Sequence, residues 1–290
     1  MENYLIKTLA YDKQARIFFL ENTKATKENC DHKNINKLLK TALAKTVSIA
    51  GLISGTLKGN QRISIKIIES SQKYKIFADA DSEGNVRGYF NDALMNAHID
   101  YSDNFTIEQL IGKEGYIQVI KDLGMDRMFT GTTKMPYGNI TDDMAYYYEQ
   151  SEQIPSIFHI ITLVNEKNEI ILNRGIMAQL LPGAPIGLIN DIRRNIMENS
   201  SALENLPDKD FMNAPHLLFK DIDIIGNQKI QFFCGCSKEI FQSMLFSLDE
   251  QELYEAYQND RPIELACNIC GKKYSYDIRS IINKQKEVID

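Results

Sequence analysis

The 290-residue sequence lacks several features that mark particular classes of protein. It has only 16 Gly and 7 Pro, which excludes collagen-like and proline-rich architectures. No run approaches the roughly 20 apolar residues that a membrane-spanning helix needs. The N-terminal segment carries charges throughout and has no apolar signal-peptide core. We therefore expect a cytoplasmic protein that does not enter a membrane.

Positive charge is not in excess either. The 33 Lys and Arg stand against 39 Asp and Glu, which gives a formal net charge of -6 at pH 7. Nucleic-acid-binding proteins usually carry a basic patch, because contacts to phosphates supply much of their affinity. The sequence has no long basic run, so its composition argues against nucleic acid as a partner. At 43% hydrophobic and 25% charged residues, the chain has an ordinary globular composition.

Apolar periodicity predicts an α+β fold whose core domain combines antiparallel strands with helices. Two helices are predicted: one at residues 34–57, rich in small side chains, and one at 141–151 with Thr141 as its N-cap. Small side chains permit close packing against a sheet. Strands are predicted at residues 15–21, 63–68, 73–79, 85–90, 116–122, 127–133, 157–164 and 169–172.

The chain length favours one large domain and a smaller one. We predict an N-terminal core domain at residues 1–181, a helical linker at 182–226 and a small C-terminal domain at 227–290. The linker begins at a break that contains Pro182, Gly183 and Pro185. Its first helix carries an apolar stripe, which either is permanent core or becomes accessible if the small domain loses order. The stripe consists of Ile186, Ile189, Ile192 and Ile196.

Four of the five cysteines form two closely spaced pairs near the C-terminus, Cys234 with Cys236 and Cys267 with Cys270. Alternate residues of a strand point to the same face, so an extended CxC segment presents both sulfurs together. Gly271, after the second pair, is free to take a positive φ in a tight turn. Two sulfurs from each half complete a tetrahedral site that suits Zn²⁺. The sequence therefore predicts one Zn²⁺ held by these four cysteines.

Other interpretations of the cysteines fit less well. Structural disulfides are rare in the cytosol, and a thioredoxin-like CxxC requires a βαβ context that is not predicted here. Four cysteine ligands leave no open position for a hydrolytic water, so an enzyme is not expected. The zinc is then either structural or switchable. Cys30 lies outside both pairs, beside His32, and we interpret it as an incidental thiol rather than a fifth ligand.

The size of the C-terminal domain sets the consequence of losing the metal. Residues 227–290 fall in the range where a hydrophobic core alone is marginal. Structural zinc contributes about 10–16 kcal/mol in short peptides, whereas a whole native domain is stable by about 5–15 kcal/mol. Oxidation of the thiolates removes the ligands and most of this stability. A zinc contribution as large as the stability of the whole domain permits a redox switch but does not require one.

The segment FCGCSKE followed by CNICGKKYSYD resembles the C-terminal zinc domain of the bacterial heat-shock protein 33 family, which are redox-regulated chaperones. The resemblance extends over essentially the whole chain. The segments GLISGTLKG, NVRGYF, IGKEGYIQVIKDLG, YYYEQSEQIPS and AQLLPGAP follow in the order typical of the family.

The resemblance implies a function. A member of this family is an ATP-independent holdase that is inactive while reduced and zinc-bound. Oxidation converts the cysteines to two disulfides, here Cys234–Cys236 and Cys267–Cys270. Zinc then leaves, the small domain and linker lose order, and exposed apolar surface binds unfolding client proteins. The oxidised form is expected to be a homodimer. An extended i,i+2 pair lies near the upper Cα limit of about 6.8 Å for a disulfide, so local unfolding should precede the first bond.

A second hypothesis remains open from the residues themselves. A static zinc module could mediate contacts with nucleic acid or ribosomes. Against it, residues 227–290 contain eight Lys and Arg and ten Asp and Glu, a net charge of -2. That sign does not favour phosphate binding.

Overall fold

The helix α2 (Lys37–Ser54) is buried on nearly its whole circumference. A helix that is apolar all round needs partners on every side, and α2 finds them in strands from two different sheets. The Asn36 side chain caps its first turn by accepting a hydrogen bond from Leu39 N. The predicted helix at 34–57 is thus present with shorter bounds, and its small residues serve close packing between the two sheets.

The computed structural model describes residues 2–31, 33–97, 105–124, 127–245, 250–259, 261–277 and 279. The chain divides into two compact units, Met1–Phe233 and Cys234–Asp290. The predicted linker at 182–226 lies within the first unit, and the three-part division stays a prediction. No helix in the described part of the chain is long and apolar enough to cross a membrane.

The first unit contains an antiparallel five-stranded sheet with α2 on one face. Its residues alternate: Phe18 and Leu20 belong to the core around α2, whereas Ile17 and Phe19 point to the opposite face. In spatial order, the strands are β10 (Ile222–Lys229), β1 (Tyr4–Ala10), β2 (Ala15–Glu21), β9 (Ile170–Leu180) and β8 (Ser156–Val164).

The second sheet of this unit has six strands and packs one face on the other side of α2. Ile63, Ile65 and Ile67 of its central strand β3 (Arg62–Ile68) alternate into the core. All neighbouring strands are antiparallel except β11 (Gln231–Phe232) and β5 (Asn85–Phe90), which are parallel. In spatial order, the strands are β11 (Gln231–Phe232), β5 (Asn85–Phe90), β4 (Lys75–Asp81), β3 (Arg62–Ile68), β6 (Tyr116–Asp122) and β7 (Met128–Lys134). The predicted α+β class with antiparallel sheets is confirmed.

Short helices complete the core, and one predicted cap is wrong. Asn139, not Thr141, caps α5 (Ile140–Tyr147), because the helix already begins at Ile140. The Asn139 side chain accepts hydrogen bonds from Thr141 N and Asp142 N. A π-helical turn at Tyr148–Glu152 follows α5. The helices are α1 (Thr23–Cys30), α3 (Asp92–Met95), α4 (Ile107–Ile111) and α5 (Ile140–Tyr147).

The predicted linker covers the face of the five-stranded sheet opposite α2. Ile192 and Ile196 are fully buried there, whereas Ile186 is 76% exposed and lies outside the buried stripe. The helical prediction is wrong from Ile222 onward, because this segment pairs with β1 and satisfies its backbone hydrogen bonds at the sheet edge. The helices here are α6 (Leu188–Glu198), α7 (Ser200–Asn205), a 3₁₀ helix (Asp208–Asn213) and α8 (Ala214–Leu218).

The second unit has little apolar core of its own. Leu245, Ala256, Tyr274 and Tyr276 form its buried cluster within the described residues. Partly buried side chains such as Phe241 pack around them. The elements are α9 (Lys238–Leu245), α10 (Glu250–Gln258), β12 (Ile263–Ala266) and β13 (Lys273–Tyr276), with the two strands forming an antiparallel hairpin.

A buried arginine attaches the linker to the five-stranded sheet. The Arg174 side chain on β9 is 1% exposed and pairs with Glu21 on β2 at 2.6 Å. It also pairs with Asp208 at 2.6 Å and donates to the carbonyl oxygens of Leu203 and Leu206 at 2.8 and 2.6 Å. Because a guanidinium presents five donors in a fixed plane, one side chain can satisfy partners on both the sheet and the linker.

We predict that Arg174→Met destabilises the protein by about 3–5 kcal/mol, because it leaves the Glu21 carboxylate buried without a partner. Urea unfolding of the reduced protein should show a lower midpoint with an unchanged slope. Arg194→Met is the matched control, since Arg194 is 66% exposed in its pair with Asp191. Its effect should stay within about 0.5 kcal/mol. Equal midpoints for the two variants would contradict the assigned role of Arg174.

Candidate metal centre

The sulfur atoms of Cys234, Cys236, Cys267 and Cys270 all lie within 4.8 Å of one another. The Cys234 and Cys267 sulfurs are 3.4 Å apart, as are those of Cys236 and Cys270. A tetrahedral zinc with Zn–S bonds of about 2.3 Å would separate its sulfurs by about 3.8 Å. The donor set and the size of the cluster therefore fit a thiolate-bound divalent ion.

A tight turn between β12 and β13 places Cys267 and Cys270. The backbone N–H of Gly271 donates to Cys267 O at 2.8 Å, and Cys267 N donates to Lys272 O at 2.9 Å. Gly271 has a φ of 71°, as the sequence predicts. This left-handed conformation favours glycine. The hairpin thus holds two sulfurs on one short loop.

The CxC half differs from the prediction of an extended strand. Gly235 has a φ of 69°, and no strand includes Cys234 or Cys236. A residue in the left-handed region turns the chain, so the segment bends towards the cluster instead of running straight. The segment leads directly into α9. Ser237, just before the helix, accepts a hydrogen bond at its Oγ from Ile240 N at 3.3 Å.

Two tyrosines of β13 join the hairpin to the CxC half. The Tyr274 hydroxyl lies 3.1 Å from Cys236 Sγ, and the Tyr276 hydroxyl donates to Lys238 O at 2.7 Å. Sequence reasoning missed these two residues. Their spacing in KYSY, directly after the CxxC turn, places both rings on one face of a strand and was the available signal.

The four thiols of the cluster differ in pKa and in exposure because their surroundings differ. Burial raises the pKa of Cys234 and of Cys270. It acts in the same direction on Cys236, but hydrogen bonds from Tyr274 and the other thiols outweigh it and lower the pKa to about 7. Cys267 is 4% exposed, whereas the other three are partly exposed. A thiolate at Cys236 therefore forms near neutral pH, and the thiolate is the form that binds metal or attacks an oxidant.

The lysines that flank the cysteines contact the rings of the two tyrosines. Lys238 Nζ lies 5.4 Å from the centre of the Tyr276 ring, and Lys272 Nζ lies 5.2 Å from that of Tyr274. These are cation–π contacts.

Cys30 has a different environment. It is buried in α1 of the first unit, and burial raises its pKa to about 11. A thiol with this pKa is almost fully protonated at neutral pH and reacts slowly. This environment agrees with the interpretation of Cys30 as an incidental thiol.

Comparison with known proteins was consistent over nearly the whole chain. The family model described as Hsp33 protein matches residues 3–277. The chain is 30% identical over 292 aligned residues to the 33 kDa chaperonin of Bacillus cereus (strain B4264), with 98% of each chain covered. A 33 kDa chaperonin of Bacillus anthracis matches at the same identity and coverage. The crystal structure of the 33 kDa chaperonin (heat shock protein 33 homolog) from Thermotoga maritima shares the fold, with a TM-score of 0.83 at 21% identity, covering 99% of this chain and 100% of that one.

We predict that Cys267→Ser lowers zinc affinity and makes the second unit sensitive to protease, because it removes one of the four soft ligands. Zinc content after dialysis and limited proteolysis of the reduced protein measure the two effects. Cys30→Ala is the control and should keep full zinc and the same cleavage pattern. Full zinc occupancy and unchanged protease resistance in the Cys267 variant would argue against a four-cysteine metal site.

Proposed function

The chain belongs to the Hsp33 family, and on that premise we propose that it is a redox-regulated, ATP-independent chaperone that binds unfolding client proteins and prevents their aggregation. The observation that carries the proposal is the convergence of four sulfurs within 4.8 Å in a unit with a minimal apolar core. Such a site combines a structural metal with a chemically sensitive set of ligands. The proposal assigns no catalytic residue.

We propose Zn²⁺ as the metal, one ion per chain in the reduced state. Cys234, Cys236, Cys267 and Cys270 would hold it, and four soft thiolates are the donor set that zinc prefers in closed structural sites. When bound, the ion neutralises thiolate charge and joins the CxC half of the unit to the hairpin. The reducing cytoplasm would keep the ligands as thiolates.

Oxidation by a peroxide would remove the ligands in pairs. One thiolate attacks the peroxide, the O–O bond breaks, hydroxide leaves and the sulfur becomes a sulfenic acid. A second thiolate then attacks that sulfur, an S–S bond forms and a second hydroxide leaves. Each disulfide takes two electrons from sulfur and reduces one peroxide to two waters after protonation. Two disulfides therefore consume two peroxides and free the metal.

We assign the disulfides as Cys234–Cys236 and Cys267–Cys270, following the family resemblance. A physical argument supports this pairing. Each bond closes within its own short segment and leaves the two halves unlinked. A bond from Cys234 to Cys267 would instead close a loop of more than 30 residues and stabilise the unit by roughly 3–4 kcal/mol. Loss of order on oxidation therefore favours the local pairs.

Loss of order in the second unit would pass along the chain to the linker. Cys234 directly follows Phe233, and the preceding strands β10 and β11 connect it to the helices on the five-stranded sheet. These helices have 5 to 11 residues, lengths that are marginal without packing partners. Their release would expose apolar side chains of the sheet, among them Ile17, Phe19 and Ile176. Such a surface suits unfolding clients or a second copy of the chain, and we propose a homodimer for the oxidised state.

We expect peroxide treatment to release one zinc per chain and to convert the protein into a suppressor of client aggregation. A chromogenic zinc indicator and light scattering of a thermally unfolding client follow the two events, with dithiothreitol-reduced protein as the control. Peptide mapping of the oxidised chain should find the local disulfides. Zinc retained under peroxide, with client aggregation unchanged, would favour a static zinc module instead.

We expect oxidation to increase amide exchange across residues 185–225 and across the second unit, while α2 stays protected. The physical reason is that the short linker helices stay folded only while they pack on neighbouring elements, whereas α2 is enclosed by two sheets. Hydrogen exchange with mass spectrometry compares reduced, zinc-bound protein with oxidised, zinc-free protein. Should the linker keep its protection after the zinc has left, the loss of metal is not transmitted and the proposed route to the client-binding surface is wrong.

A further inference from the structure

We propose that Tyr274 is a positioning residue for the metal ligand Cys236, and that its hydroxyl both strengthens metal binding and slows oxidation of that sulfur. The inference rests on the proposed function, since it concerns the same four-cysteine site. The Tyr274 oxygen lies 3.1 Å from Cys236 Sγ and also 3.1 Å from Cys236 O. One side chain thus contacts both ends of one ligand residue.

The two contacts fix the direction in which Cys236 presents its sulfur. A phenol has a single O–H. When Cys236 is a thiolate, its Sγ and its carbonyl oxygen are both acceptors, so they share the proton of the Tyr274 hydroxyl. Rotation of the Cys236 side chain would break the contact to sulfur while leaving that to the carbonyl. The hydrogen bond therefore favours the rotamer in which Sγ faces the other three sulfurs.

The tyrosine ring is itself held in place. Tyr274 is 6% exposed, and its partner in the hairpin register is Leu265 on β12. The Phe241 ring of α9 stacks on it at 5.3 Å between centroids. Lys272 Nζ lies over the ring at 5.2 Å from its centre. A ring fixed by packing from α9, β12 and a lysine presents its hydroxyl without a large loss of side-chain entropy on metal binding.

The hydrogen bond has a chemical consequence for the sulfur. A metal-bound Cys236 is already a thiolate, so the hydrogen bond does not increase its thiolate fraction. Donation then only withdraws electron density from the atom that would attack a peroxide, and the nucleophilicity of Cys236 falls. The same donation stabilises the anionic form that the metal needs. Removal of the hydroxyl should therefore weaken metal binding and accelerate oxidation together. A residue that only packs the core would have no such paired effect.

The hairpin supplies a matched control. Tyr276 lies on the same face of β13 and is buried, but its hydroxyl donates to Lys238 O rather than to a ligand. Tyr274→Phe and Tyr276→Phe each remove one buried hydroxyl and keep the ring. A general loss of stability in the unit affects both variants, whereas an effect through Cys236 sulfur affects the first alone.

The test uses the full-length reduced protein and zinc itself as the probe. Competition with a chelator gives the zinc dissociation constant, and a zinc indicator gives the rate of release under a fixed peroxide concentration. Tyr274→Phe should raise the dissociation constant about 10- to 100-fold, as loss of a hydrogen bond to a ligand typically does, and release zinc faster. Tyr276→Phe should change both values by less than about threefold, well below the effect expected at a ligand. Equal effects of the two variants would overturn the proposal.

A second variant keeps the test decisive if Tyr274→Phe binds no metal at all. Incorporation of 3-fluorotyrosine at position 274 makes the phenol a stronger donor in a ring of nearly the same size. At a pH where this phenol stays protonated, zinc release under peroxide should be slower than in the unmodified protein. Unchanged or faster release would overturn the proposal. Failure of the proposed function is seen separately, as the absence of client protection by the oxidised, unmodified protein.

Discussion

Four sulfur atoms within 4.8 Å of one another are the constraint on which the second unit depends. Thiolates this close repel one another unless a cation lies among them, and protonated thiols would give the unit no strong interaction to replace it. The buried cluster of Leu245, Ala256, Tyr274 and Tyr276 is too small to supply the missing stability. In the proposed function, the ligands that hold the unit together are therefore also the groups that an oxidant attacks. No separate sensor is needed, because loss of the ligands and loss of order are the same event.

In the first unit, β9 contacts α2 on one face of the five-stranded sheet and the linker on the other face. The side chain of Asn173 donates to Ser48 of α2 at 2.6 Å and to Asn22 at 2.7 Å. The next residue, Arg174, points to the opposite face and contacts the linker. Arg174 keeps Glu21 as a partner within the sheet, so departure of the linker would not leave an isolated buried charge. Water could replace the linker carbonyls and Asp208. In the proposed mechanism, a linker attached in this way would be firmly placed in the reduced protein and would still be released at moderate cost.

The sequence predicted the parts of the structure that depend on local pattern. The strands at 15–21, 85–90 and 116–122 carry apolar side chains on the faces that enter the cores, and their predicted bounds agree with the structure. The convergence of the four cysteines was predictable because two closely spaced cysteine pairs are typical of one shared site. Features that depend on distant partners were not. β10 and β1 pair across more than 200 residues, and neither segment has a period strong enough to identify it. The cap at Asn139 and the turn at Gly235 depend on where neighbouring elements begin, which periodicity gives only to within a few residues.

Cys30 and Cys236 show how one functional group acquires opposite reactivities within a chain. Cys30 is buried in the core of the first unit, and burial raises its pKa to about 11, which keeps nearly all of it protonated at neutral pH. Cys236 has a pKa lowered to about 7 by its hydrogen bonds and is partly exposed. Since the thiolate is the nucleophile, a peroxide would react with Cys236 in preference to Cys30. The buried Cys30 thiol therefore does not make the first unit sensitive to an oxidant. In the proposed mechanism, oxidation would then be confined to the unit whose disorder the mechanism requires, and the sheets around α2 would stay available as a folded surface.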